Sequence, residues 1–307
     1  MITEITDNND KGIRFINRFL VRFGPGAGII ACAVVLGWCF EPWVWMWILA
    51  FGIYIGCKWL TYFDARIAHG QATPWKVAVY LLFWPGMDAE KFLHDAAVVR
   101  PKAGDWTVAV GKTLLGGILL LWVVPYIPHD APLTAGWIGM TGIVFVLHFG
   151  LFHLLALAWQ SAGCNARPIM RRPLCATGLA DFWGRRWNLA FHQLTAVYLY
   201  RPLLQPLGPA IALLTAFFIS GLIHETVITV PAGGGYGGPT AYFMIQGAGL
   251  LLERRLFFRR RPFLKRLLAW TFLIAPAAFL FPPVFIRTVI LPMLTALGIL
   301  PPETLHV

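Results

Sequence analysis

The sequence predicts an all-α integral membrane protein, a polytopic helical bundle of about 8–9 hydrophobic segments. Three observations carry that expectation. First, 58% of the 307 residues are hydrophobic and only 13% are charged, with a mean hydropathy of +0.67. A water-facing domain carries roughly 25% charged residues, so a soluble enzyme, a disordered tail and a secreted disulfide scaffold are excluded. Second, apolar windows recur at about the 20-residue length of a bilayer crossing. Third, the net charge of +11 is gathered between those windows, as loop charges that set orientation are.

Met1 to Asp10 is acidic and polar and shows no cleavable leader pattern. Lys11, Arg14, Arg18 and Arg22 then recur every three or four residues, opposite Phe15, Ile16, Phe19, Leu20 and Phe23. That spacing predicts a basic amphipathic helix lying on an anionic membrane surface, residues 1–23 forming an interfacial N-terminus. Apolar windows follow at 26–40, 42–60, 106–127, 135–160, 203–230, 239–253, 267–281 and 283–300. The stretch 75–87 is too brief to span and reads as re-entrant or as a partial helix. Gly208-Pro209 is expected to break the run 203–230. No repeat or soluble insert stands out, so 1–307 reads as one membrane-embedded domain.

Lys and Arg collect in 11–22, 58–102, 167–186 and 254–266, whereas Glu41-Pro42, Pro128 to Thr134 and Pro231 to Pro239 contain neither. Arg287 is an exception to the alternation. The positive-inside rule then puts the N-terminus and the segment 161–201 in the cytosol. Topology explains the positive charge, and nucleic-acid binding is not expected.

Polar groups within a bilayer are costly and usually functional. His224-Glu225 falls inside the apolar run 203–230, roughly 20 Å beyond a helix start near Ala210. A neutral imidazole at that depth can accept an alcohol proton near neutral pH. A histidine satisfied by a neighbouring helix would look the same, but a second ionisable group beside it calls for a partner or a wet cavity. On the cytosolic side, Asp181-Phe182-Trp183-Gly184-Arg185-Arg186-Trp187-Asn188 packs two arginines, a carboxylate, two tryptophans and an amide into eight residues. Arginine can grip phosphate bidentately; an interfacial aromatic belt with positive-inside arginines has the same composition.

The order of residues is more specific. This block, followed by Ser220-Gly221-Leu222-Ile223-His224-Glu225, resembles the membrane-bound O-acyltransferases, and among them the wax synthase branch. There a Phe-Trp-Gly-Arg-Arg-Trp-Asn block precedes a Ser-Gly-x-x-His-Glu block. Diacylglycerol and sterol acyltransferases have a more distant version of both. Pro239-Thr240, Gly247 and Glu253 are also similar, less distinctively, and the likeness covers residues 175–255. The resemblance implies Asn188 and His224 as catalytic residues, acyl-CoA as co-substrate and a hydrophobic alcohol as acceptor, with no cofactor. It makes Arg185 and Arg186 candidates for the CoA phosphates and Trp183 and Trp187 for the entrance walls. Asp181 is expected to pair with an arginine, and Glu225 to attend the substrate.

Diacylglycerol or a sterol as acceptor stays open, as does a proton-coupled transporter using His224 and Glu225. The compartment follows the source: the inner membrane in a bacterium, the endoplasmic reticulum in a eukaryote. His148 and His153, five residues apart, point to different helix faces, and no Cys/His spacing suits zinc, so no metal site is expected. Gly233 to Gly238 lacks the Lys-Ser/Thr of a phosphate loop and reads as a turn. Pro85 to Asp88 and Glu90 are candidates for a cytosolic entrance.

Overall fold

The computed structural model describes residues 2–94, 98–256 and 261–303, with side chains from residue 19 onward. It is built of helices, in chain order α1 (Ile2–Leu36), α2 (Pro42–His69), α3 (Pro74–Phe83), α4 (Ala89–His94), α5 (Ala103–Tyr126) and α6 (Pro132–Ser161). After a long loop come α7 (Leu179–Arg185), α8 (Leu189–Ala232), α9 (Gly238–Arg255), α10 (Pro262–Leu280) and α11 (Pro283–Ala296). Among the described residues, six helices are long and apolar enough to cross a membrane: α1 from Phe19, α2, α5, α6, α8 and α10. The chain is therefore a multi-pass membrane protein. The remaining expected segments are helical but do not reach that standard. Helices α3 and α11 are short, and α9 carries Gln246, Glu253, Arg254 and Arg255.

Two elements differ from the expectation. The surface helix and the first span form one continuous helix through Pro25. Of the amphipathic pattern, the side chains of Lys11, Arg14, Phe15, Ile16 and Arg18 lie outside the described residues, as do Arg259 and Arg260 of the last basic stretch. Arg22 is fixed inward by a 2.7 Å ion pair to Asp64, which also accepts from the Tyr198 hydroxyl at 2.8 Å. Helix α8 starts earlier than the apolar window, at Leu189, and kinks at Gly208, whose φ of 73° interrupts the helical backbone. The break expected at Gly208-Pro209 is there.

The 75–87 stretch is a partial helix. Chain atoms beyond its end at Phe83 lack helical partners and are satisfied from α2. The Tyr54 hydroxyl donates to the Trp84 carbonyl at 2.7 Å, and Lys58 Nζ donates to the Gly86 carbonyl at 2.5 Å. Lys58 is 1% exposed and sits 3.1 Å from the Tyr80 ring centre, a cation–π contact that offsets part of its desolvation. Met87, Asp88 and Glu90 line a hollow of about 220 Å³ with Asp64, His69 and Tyr198; His224 is not among its walls.

Basic stretches distant in sequence meet. Arg266 donates to the Leu174 carbonyl at 3.0 Å, which brings 254–266 to 167–186. Two layers of apolar packing frame the site: Leu179, Phe182, Leu250 and Leu273 on one side, Met87, Ile169, Met170 and Ala190 on the other.

Candidate active site

Helix α7 ends in a tight turn, with the Arg186 and Trp187 amides both donating to the Phe182 carbonyl at 3.2 and 2.9 Å. The next residue, Asn188, has φ 37° and ψ 61°. Asn is one of the few side chains that tolerate this left-handed conformation. Its Oδ1 accepts from the Phe191 amide at 3.2 Å and so caps α8, while its own amide donates to Met170 Sδ at 3.2 Å. With Oδ1 committed to the cap, the side-chain NH2 is the group Asn188 can offer a ligand. Backbone bonds from Arg171 to Arg186 and from Leu189 to Ile169 brace the turn on both flanks.

His224 lies on α8, immediately before a π-helical turn at Glu225–Thr229, a local widening frequent at functional sites. Its Nδ1 is 2.7 Å from the Ser220 carbonyl. A carbonyl can only accept, so the proton sits on Nδ1 and Nε2 presents a lone pair. The Phe243 ring lies 4.4 Å away, centre to centre, and restricts the imidazole.

Asn188 and His224 face one cavity of about 270 Å³, with Trp183, Trp187, Phe217 and Phe243 among its walls. Four of the eight sequence-predicted residues thus converge. Trp183 is held by a 3.3 Å bond to Gln246 Oε1, and the fully buried Gln246 donates to the Phe272 carbonyl at 2.6 Å. Trp187 stacks on Phe182 at 5.3 Å and 16°. His192 and Arg254 also line the cavity; in the sequence His192 falls in no distinctive block and Arg254 is only the first charge of the basic stretch 254–266.

Asp181, Arg185 and Arg186 lie on the other side of α7. They line a second cavity of about 600 Å³ together with Lys112, Arg171 and Arg172. Asp181 pairs with both arginines of its block, at 3.0 Å to Arg185 Nε and 2.6 Å to Arg186 Nε. Burial pushes its carboxyl up, but the Thr177 amide and the two guanidinium groups outweigh this and hold it below the usual carboxylate range. Arg186 also donates to the Arg172 carbonyl at 3.2 Å, so much of its hydrogen-bonding capacity goes to structure, whereas Arg185 has a 77% exposed side chain. In the sequence Arg171 and Arg172 are loop charge of the stretch 167–186, and Lys112 lies inside the apolar window 106–127, so none of the three is a sequence-predicted site residue.

Glu225 is placed elsewhere. One oxygen accepts from the Thr229 hydroxyl at 2.6 Å and the other from the Thr240 amide at 3.1 Å, and it is not a wall of the cavity containing His224.

Residues 166–245 match the model of the membrane bound O-acyl transferase family. All eight candidate residues fall in that window. The probable long-chain-alcohol O-fatty-acyltransferase 8 of Arabidopsis thaliana is 33% identical over 132 residues, 39% of this chain and 39% of that protein. The probable enzyme 9 of the same plant is 31% identical over 152 residues, covering 44% and 45%. The long-chain-alcohol O-fatty-acyltransferase of Simmondsia chinensis is 33% identical over 97 residues, covering 27% and 28%. Each alignment spans less than half the length of these curated relatives. The resemblance read from the sequence, to the membrane-bound O-acyltransferases and their wax synthase-like branch, is borne out over this segment.

Proposed function

We propose that this chain, similar to the membrane-bound O-acyltransferases over the segment that builds its cavity, transfers a fatty acyl group from acyl-CoA to a long-chain alcohol, forming a wax ester. The observation that supports this best is the convergence of Asn188 and His224, the latter with a free Nε2, on one aromatic cavity. His224 Nε2 takes the hydroxyl proton of the alcohol as its oxygen attacks the thioester carbonyl. The Asn188 amide donates to the oxyanion that develops on the carbonyl oxygen. The C–S bond then breaks, and the proton leaves on the sulfur of CoA.

The second cavity suits the donor's headgroup. Arg185, Arg171, Arg172 and Lys112 present cations to the CoA phosphates, and the acyl chain enters the aromatic cavity past Trp183 and Trp187. Diacylglycerol or a sterol would use the same chemistry, and the acceptor panel below separates them. A proton-coupled carrier built on His224 and Glu225 loses support, because both Glu225 oxygens are occupied by threonines. The membrane is the inner membrane in a bacterium or the endoplasmic reticulum in a eukaryote. In the test, purified protein in liposomes with labelled palmitoyl-CoA and hexadecanol is expected to make hexadecyl palmitate. Wild type that yields ester from none of hexadecanol, diacylglycerol and a sterol would overturn the reading.

A further inference from the structure

Asn188 and His224 belong to different helical turns 36 residues apart, and their use on one substrate pair needs both held still. Helix α7, which leads into Asn188, has seven residues, too few to be stable alone. Its first amides have no partner within the helix, and the residue before it, Gly178, offers no side-chain cap. The cap comes instead from α9. Glu253 Oε2 accepts from the Leu179 amide and Oε1 from the Ala180 amide at 3.3 Å. Glu253 is 7% exposed, and its one ion-pair partner among the described residues is Lys265, at 3.6 Å.

The other end of α9 repeats the device. That helix also starts without a side-chain cap of its own, after Gly237. The Thr240 amide in its first turn donates to Glu225, the residue after His224. A carboxylate is favoured at a helix N-terminus by the unpaired amides and the helix dipole. Resting on the acyltransferase reading, we propose that Glu225 and Glu253 are positioning residues. They form two carboxylate caps joined by α9, a rod of about 27 Å, which tie His224 to α7, the helix that leads into Asn188. The Pro239-Thr240 and Glu253 likenesses in the sequence acquire a physical role in this arrangement.

The cap on α7 can be broken in two independent ways. Glu253→Ala removes the acceptor. Gly178→Ala leaves Glu253 in place but puts a methyl against Lys265 Cε and 2.9 Å from Glu253 Oε2, so the carboxylate must move. Because α7 carries walls of both cavities, either change is expected to raise the KM for palmitoyl-CoA about tenfold and lower kcat. Glu253→Gln keeps one acceptor oxygen and should restore most of the loss. Lys265→Met should stay within about twofold of wild type. A purely structural role would lower the amount of active enzyme at unchanged KM, and that result overturns the proposal.

Amide exchange over residues 179–195 decides the matter without activity. It should quicken in Glu253→Ala and Gly178→Ala, whether or not wild type makes ester. Unchanged exchange there overturns the caps; absence of ester from wild type with quickened exchange overturns only the acyltransferase reading. Glu225→Ala, read by exchange at 238–245, tests the other cap by the same standard.

Discussion

The cavity on one side of α7 is walled by Trp183, Trp187, Phe217 and Phe243 and contains His224; the cavity on the other is walled by Lys112, Arg171, Arg172 and Arg185. One short helix separates them, and its sequence alternates accordingly. Trp183 and Gly184 face the aromatic side, Asp181 and Arg185 the basic side. The difference teaches how an amphiphilic donor can be divided. In the proposed reaction, apolar walls exclude water where a proton must move and an oxyanion must be held, while a cluster of cations would attract the polyphosphate of the donor from solution. The same block that looks like an aromatic belt with arginines in the sequence is, in three dimensions, a partition between two environments.

Removing the proposed base on the aromatic side is expected to have the largest effect. His224→Ala should lower kcat by about 10²- to 10⁴-fold, with the KM for palmitoyl-CoA little changed, measured as ester formed per minute. Asn188 comes next and needs a variant that separates its two duties. Asn188→Asp keeps an acceptor for the Phe191 amide but removes the NH2 donor, so kcat should fall by about 10²- to 10³-fold with Tm nearly unchanged. Asn188→Ala should lose activity and, in addition, about 1 kcal/mol of stability with the cap. If Asn188→Asp stays active, the cap is the whole role of that side chain.

Changes on the basic side should act on binding alone. Arg172→Ala combined with Lys112→Ala is expected to raise the KM for palmitoyl-CoA about tenfold, to reduce its dependence on salt, and to leave kcat alone. A drop in kcat at constant KM would erase the division between the two cavities. The smallest effect is a pH effect at Asp181. Its folded carboxyl titrates below the unfolded one, which lies near about 3.9. Its contribution to stability is therefore complete above that value and is lost as pH falls through the lower folded one. Tm measured from pH 6 to pH 3 should drop more steeply in wild type than in Asp181→Asn.

The fold class was legible because hydrophobic windows and charge placement follow from the bilayer itself. His224 and the Asp181–Asn188 block stood out because polar side chains at depth, and Trp and Arg in a fixed order, are uncommon. What could not be read was which helix faces which. Lys112 comes from α5 and Arg171 and Arg172 from the loop before α7, and only packing makes them one wall. Glu225 looked like a substrate residue because a carboxylate next to a deep histidine invites that reading; its partners Thr229 and Thr240 lie on the following turn and on another helix. Six of the expected hydrophobic segments are long apolar helices among the described residues; the shortness of α3 was legible in its 75–87 window, whereas window hydropathy does not register that α11 is short or that α9 bears Gln246, Glu253, Arg254 and Arg255.

The most direct test of the division between the two cavities compares wild type and His224→Ala in liposomes, with labelled palmitoyl-CoA against hexadecanol, diacylglycerol, a sterol and no acceptor, while palmitoyl-CoA binding is measured in parallel. The account predicts hexadecyl palmitate from wild type, its loss in the variant, and palmitoyl-CoA binding equal in both. Ester formation that survives in His224→Ala, or binding that disappears with it, would contradict the assignment of chemistry to one side of α7 and donor capture to the other.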